Sequence, residues 1–149
     1  QHLGTMYPFS LRQKLAKITE AHPYYTSSDN PWGRPVIPME MVSVLTQYSS
    51  ESAGFRVRGP AIGLFAGQEI RLIDGPLFVN HPYQLEREIV ALSESRRTES
   101  NWIKTSIFDA KSRELVAETI LNSAVLKDSY ADYATEAAAL GKKLSTTGH

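Results

Sequence analysis

The feature that most constrains this chain is a helix with little polar surface to offer to water. Directly after Pro38, the residues Met39, Met41, Val42, Val44, Leu45 and Tyr48 cover most of a helical circumference, with Glu40 in the first turn. A helix of this kind has to be buried. Its cover comes later in the chain. Beyond Gly54, Gly59 and Pro60 the sequence reads as strands as far as Lys127, first as the apolar run Ala61–Ala66 and then as alternation through Ile70 and Leu72. Asp74-Gly75-Pro76 supplies a turn. Alternation resumes from Tyr83 to Leu92 and from Trp102 to Phe108, Asp109–Arg113 reads as a hairpin connection, and Leu115–Leu126 follows.

An apolar helix followed by sequentially joined antiparallel strands hides its surface most simply if the sheet curls around it, which gives an α+β fold with a long central helix wrapped by a curved antiparallel sheet. The alternative is a helix lying flat on the sheet, and periodicity alone does not separate the two. Upstream, Ser10 caps a short amphipathic helix through Leu11, Leu15 and Ile18. Between His22 and Pro38 the prolines, Asn30 and Gly33 break helices and make a long irregular loop, a common place for function. The alanine-rich tail from Ser129 to Leu144 is helix-prone, and residues 1–9 and 145–149 are expected to fray.

At 149 residues with 42% hydrophobic side chains, the chain is expected to form one domain. Sixteen basic residues balance sixteen acidic ones, so there is no long-range field to gather nucleic acid or anionic lipid. No apolar run reaches the roughly 20 residues of a membrane span and no secretory signal is evident, so a soluble, cytoplasmic protein is expected. Cysteine is absent, which excludes disulfides and thiolate nucleophiles, and the four histidines lack the helical ligand spacing of zinc sites. No metal and no cofactor are expected. Any chemistry falls to carboxylates, histidines, hydroxyls or backbone dipoles.

The segment Asp29-Asn30-Pro31-Trp32 followed by Gly33-Arg34-Pro35-Val36-Ile37-Pro38 resembles the entry to the central helix of MaoC-like dehydratases. Gly67-Gln68-Glu69-Ile70 with its Gly-Pro turn, Glu94–Thr98, and Arg113-Glu114-Leu115-Val116-Ala117 are similar to that family's successive strands and turns. The match runs from about Tyr24 to Lys127. It implies the hotdog fold, a homodimer with joined sheets, and a small acyl substrate, on coenzyme A or a carrier protein, in an apolar tunnel. In the family, an Asp and a His flanking an Asn-Pro pair move water across an enoyl thioester while amides at the helix start polarise its carbonyl. Counted from Asn30-Pro31, Ser28 stands at the acidic position and Gly33 at the histidine position, so the usual pair is incomplete.

The candidate residues follow from this segment. A shift of one residue makes Asp29 the candidate base, although an Asp before Asn-Pro also caps turns. Asn30 could hold a carbonyl, with turn formation as the plainer role. Arg34 could pair with Asp29 or bind a carboxylate, Trp32 could raise the Asp29 pKa, and Tyr25 could donate to an acyl carbonyl. Free amides from Ile37 through Met39 to Met41 are oxyanion candidates, less the one that Pro38 lacks. Glu40 suits the helix dipole and also the base of a thioesterase. His22 and His81 each precede proline and read as loop residues, while Arg96, Arg97 and Lys104 read as a solvated turn and strand edge. Three functions stay open: a dehydratase-like lyase or isomerase acting on an acyl-thioester or polyketide-like substrate, a thioesterase using Glu40, and a non-catalytic acyl-binding or heterodimer partner.

Overall fold

A computed structural model describes residues 10–17, 20–52 and 61–141, with residues 48–52 described by backbone alone. The elements are α1 (Leu11–Leu15), α2 (Met39–Ser52), β1 (Gly63–Leu72), β2 (Tyr83–Glu94), β3 (Thr98–Asp109), β4 (Leu115–Leu126) and α3 (Tyr133–Ala139). Single 3-10 turns stand at Pro23–Tyr25 and Lys127–Ser129. The strands form one antiparallel sheet in the order β1-β4-β3-β2. β2, β3 and β4 are the sequential meander that the alternation implied. β1 departs from it, because it pairs with β4 and not with β2, so residues 73–82 carry the chain from one edge of the sheet to the other. The two apolar stretches read around Gly67-Gln68 are one continuous strand. Among the described residues, no helix is long and apolar enough to cross a membrane.

The described residues group into two compact units, one drawn from 1–55, 70–87 and 105–119 and the other from 56–69, 88–104 and 120–149. In the first unit, α2 packs through Val42 on Leu77, Ile107, Val116 and Ala117, with Ile37, Ile70, Tyr83 and Leu85 around them. Each buried aliphatic side chain of this kind contributes about 1.5–3 kcal/mol. From Met41 to Gln47 every side chain of the helix is buried or half-buried, and the first turn is exposed. Met41 and Val42 are inside, Val44 and Leu45 are half-buried, and Met39 is 49% exposed beside the exposed Glu40. Met39 and Glu40 occupy the first turn, before the helix has met the sheet. Thr46 is buried as well because its Oγ1 donates to the Val42 and Ser43 carbonyls.

α1 starts where expected, with Ser10 Oγ accepting from the Gln13 amide and the Gln13 side chain accepting from the Ser10 amide. It ends at Leu15, and Ile18 lies outside the described residues, as does the Tyr48 side chain. In the second unit, the Lys127 Nζ donates to the Ser95 carbonyl at 2.7 Å and to Glu94 at 3.2 Å. Tyr133, at the start of α3, donates to Glu99. The tail helix is shorter than its composition implied, with Ala137 as its one buried residue. The stretches 1–9 and 142–149 lie outside the described residues.

Candidate functional site

The loop into α2 is shaped by Asn30. Its Nδ2 donates to the Ser27 carbonyl at 3.0 Å and to the Arg34 carbonyl at 2.8 Å, and its Oδ1 accepts from the Trp32 amide at 2.9 Å. That uses both amide hydrogens and the oxygen, so Asn30 organises the turn and has nothing left for a substrate carbonyl. Gly33 takes φ +67, the left-handed conformation that glycine adopts without strain. The loop then pairs with the chain before β2: the Ile37 amide donates to the Leu77 carbonyl at 2.7 Å, and the Val79 amide to the Pro35 carbonyl at 3.0 Å. With the Ile37 amide taken and the Met41 amide donating to the Pro38 carbonyl at 2.9 Å, the amides of Met39 and Glu40 are what remains of the proposed oxyanion set.

Two cavities flank this junction within the first unit. One, of about 580 Å³, is lined by Tyr25, Ile37, Met41, Leu45, Val79 and neighbours from α1. The other, of about 540 Å³, is lined by Ile37, Leu45, Leu77, His81, Tyr83, Ile107 and their neighbours. Both share Ile37, Leu45 and Asn80. The structure therefore brings Tyr25, Ile37 and Met41 together. Asp29, Asn30, Trp32, Arg34, Met39 and Glu40 line neither cavity. Asp29 is exposed, with its amide on Ser27 Oγ. Trp32 is 47% exposed, edge-on to Tyr24, and Glu40 pairs with Lys14 at 2.7 Å.

Arg34 does not turn to Asp29. Its guanidinium stacks on the Phe78 ring at 3.7 Å, and its Nη1 lies 3.2 Å from Nδ1 of His81. On its far side, the His81 Nε2 is hydrogen-bonded to Asp109 Oδ2. A guanidinium only donates, so Nδ1 accepts and Nε2 carries the proton given to Asp109. The two contacts orient the ring, with Nδ1 toward Arg34 and Nε2 toward Asp109. The Ser112 amide, the His81 imidazole and the Lys111 amide hold the Asp109 carboxyl down at about 2. Beside them Tyr83 packs on His81, ring centroids 4.8 Å apart, and its oxygen accepts from the Phe78 amide at 2.8 Å. Burial pushes the Tyr83 phenol above its usual value, so it stays protonated, and among the described residues that proton has no acceptor.

This corner was not visible from motif spacing, since His81 read as a lone loop residue. Hairpin register carries the signal. β2 and β3 are joined by a tight turn and both have 12 residues, so their outer ends, Tyr83 and Asp109, come together and bring the residues just before β2 beside the end of β3. The Ala110 amide indeed donates to the Pro82 carbonyl at 3.2 Å.

No protein-family profile matches the sequence, and no curated protein does. Solved structures do match. The C-terminally truncated HadBC complex, a (3R)-hydroxyacyl-ACP dehydratase of Mycobacterium tuberculosis, is 16% identical with a TM-score of 0.64, over 76% of this chain and 83% of that one. A monoamine oxidase regulatory protein from Archaeoglobus is 14% identical with a TM-score of 0.61, over 78% and 79%. An (R)-hydratase of A. caviae involved in PHA biosynthesis is 18% identical with a TM-score of 0.55, over 76% and 83%. At such identities the likeness concerns the backbone and not the chemistry. With its strand order, its apolar helix against the sheet and these neighbours, this chain has the hotdog fold.

Proposed function

We propose that this chain acts on acyl thioesters as a lyase or isomerase of the dehydratase kind. The observation that carries the reading is the cavity of about 580 Å³ at the start of α2, where Ile37, Met41, Leu45 and Val79 offer an apolar wall beside the hydroxyls of Tyr25, Thr26 and Ser10. A cavity of that size and lining suits an acyl chain better than a charged or sugar-like ligand. The hydroxyacyl-ACP dehydratase and the (R)-hydratase that share the fold support the same substrate class. Of the helix-start amides, those of Met39 and Glu40 remain, and neither residue lines that cavity. Coenzyme A or a carrier protein would bring the acyl group, and the chain would work as a homodimer, which sedimentation at working concentration tests.

The experiment is to offer purified protein an enoyl thioester and a 3-hydroxyacyl thioester and to follow the conjugated absorbance in both directions. Reversible change supports the proposal. Release of free thiol in place of hydration would favour a thioesterase, against which the pairing of Glu40 with Lys14 already speaks. Binding with no turnover, alone or with a partner chain, would make this a non-catalytic hotdog. That last outcome has its own support in Ser28 and Gly33, which stand where the family has its acid and histidine.

A further inference from the structure

We propose that His81 is the proton-transfer group of this chain, positioned by Asp109, and that Arg34 and Tyr83 hold the carbonyl of a 3-hydroxyacyl thioester. The inference rests on the acyl-thioester reading and supplies the proton carrier that the helix-entry loop lacks. Four observations support it. The side chain of His81 is 12% exposed and lines the cavity of about 540 Å³ that shares Ile37 and Leu45 with its neighbour. Asp109 fixes its tautomer, so a lone pair stays on Nδ1. Arg34 covers that lone pair at 3.2 Å and, among the described residues, has no carboxylate partner. Tyr83 has its oxygen held by the Phe78 amide and its proton uncommitted.

A neutral imidazole nitrogen is a poor acceptor for a guanidinium compared with an oxygen that gains negative charge. When a thioester enters, Arg34 exchanges Nδ1 for the carbonyl oxygen. The same movement uncovers the base and polarises the acyl group, and the Tyr83 hydroxyl donates to that oxygen as charge builds. Nδ1 then takes the proton from the α-carbon. The C–H electron pair becomes the C=C bond as the Cβ–O bond breaks, and the leaving hydroxide takes the proton back from Nδ1. One water leaves and His81 returns to its starting form, so atoms and charge balance. Asp109 keeps its proton-accepting role on Nε2 throughout and does not touch the substrate.

The test uses the full chain, with turnover of a 3-hydroxyacyl thioester and the 15N signals of the His81 ring as separate readouts. His81→Asn should lower kcat/KM by about a hundredfold or more, and Tyr83→Phe should lower kcat by about tenfold with KM little changed. Asp109→Asn should lower kcat more than it raises KM and should mix the two ring tautomers, a signature that a merely structural residue would not produce. Binding of an unreactive acyl-thioether analogue to wild-type protein should shift the Nδ1 signal as Arg34 leaves it. Wild-type turnover with His81→Asn within twofold of it overturns the role of His81 and leaves the acyl reading intact. An analogue that binds without moving the His81 signals also overturns it. Absence of both turnover and analogue binding removes the acyl reading and this inference together.

Discussion

The loop entering α2 and the corner where β2 begins and β3 ends are both polar, yet they use their hydrogen-bonding groups in opposite ways. In the loop, Asn30 directs its amide group inward onto Ser27, Trp32 and Arg34, and the charged Asp29 stays in solvent. At the corner, Asp109 accepts from two amides and His81, but His81 has only the Arg34 guanidinium on its Nδ1, and the Tyr83 proton has no acceptor among the described residues. The lesson is that a motif and a site can separate. The loop keeps the residues that shape the entry to α2, while groups able to move a proton sit about fifty residues further on.

The sharpest way to break this contrast is His81→Asn. It should cost about two orders of magnitude or more in turnover, measured as kcat/KM on a 3-hydroxyacyl thioester. Next comes Asn30→Ala, which removes the three bonds that set the loop. It should lower unfolding stability by about 1–3 kcal/mol in a denaturant titration, with the loss in fold exceeding any direct loss in chemistry. A smaller effect is expected in acid. The folded pKa of Asp109, about 2, lies below its ordinary value of 3.8. Its contribution to stability is therefore complete above the ordinary value and is lost as pH falls through the lower one. Asp109→Asn should accordingly flatten the fall of Tm with pH across that window. The smallest effect belongs to Asp29→Asn, with stability within about 0.5 kcal/mol and turnover within about twofold. A loss of tenfold or more on that substitution would return the base to the loop.

Much of the fold could be read from the residues because burial writes itself into periodicity. The apolar stretch after Pro38 became α2, the alternation from Tyr83 became β2, and Leu115–Leu126 has the bounds read from the sequence. The position of β1 was not legible, since edge placement beside β4 depends on pairing partners and not on its own alternation. Met39 shows the other limit: its apolar side chain fits the helical stripe, but one turn of distance from the sheet leaves it half in water. Of the residues read as site candidates, Tyr25, Ile37 and Met41 meet on one cavity because the entry loop and the first turns of α2 fold together. His81 and Asp109 were missed because they are 28 residues apart and meet only through the register of a hairpin.

The short backbone pairing between residues 35–37 and 77–79 has an engineering consequence. Pro35 and Pro38 lack N–H groups, so the pairing cannot lengthen along the α2-entry segment. It acts as a fixed splice: whatever runs from His22 to Gly33 is delivered to the same docking point, with Arg34 kept on Phe78 and His81. A whole loop of different length or composition could be grafted between those ends while Ile37 kept its bond to Leu77. The segment before the splice is thus an exchangeable cassette, and chimaeras that trade it among related chains would retune what enters the cavity while inheriting the same floor.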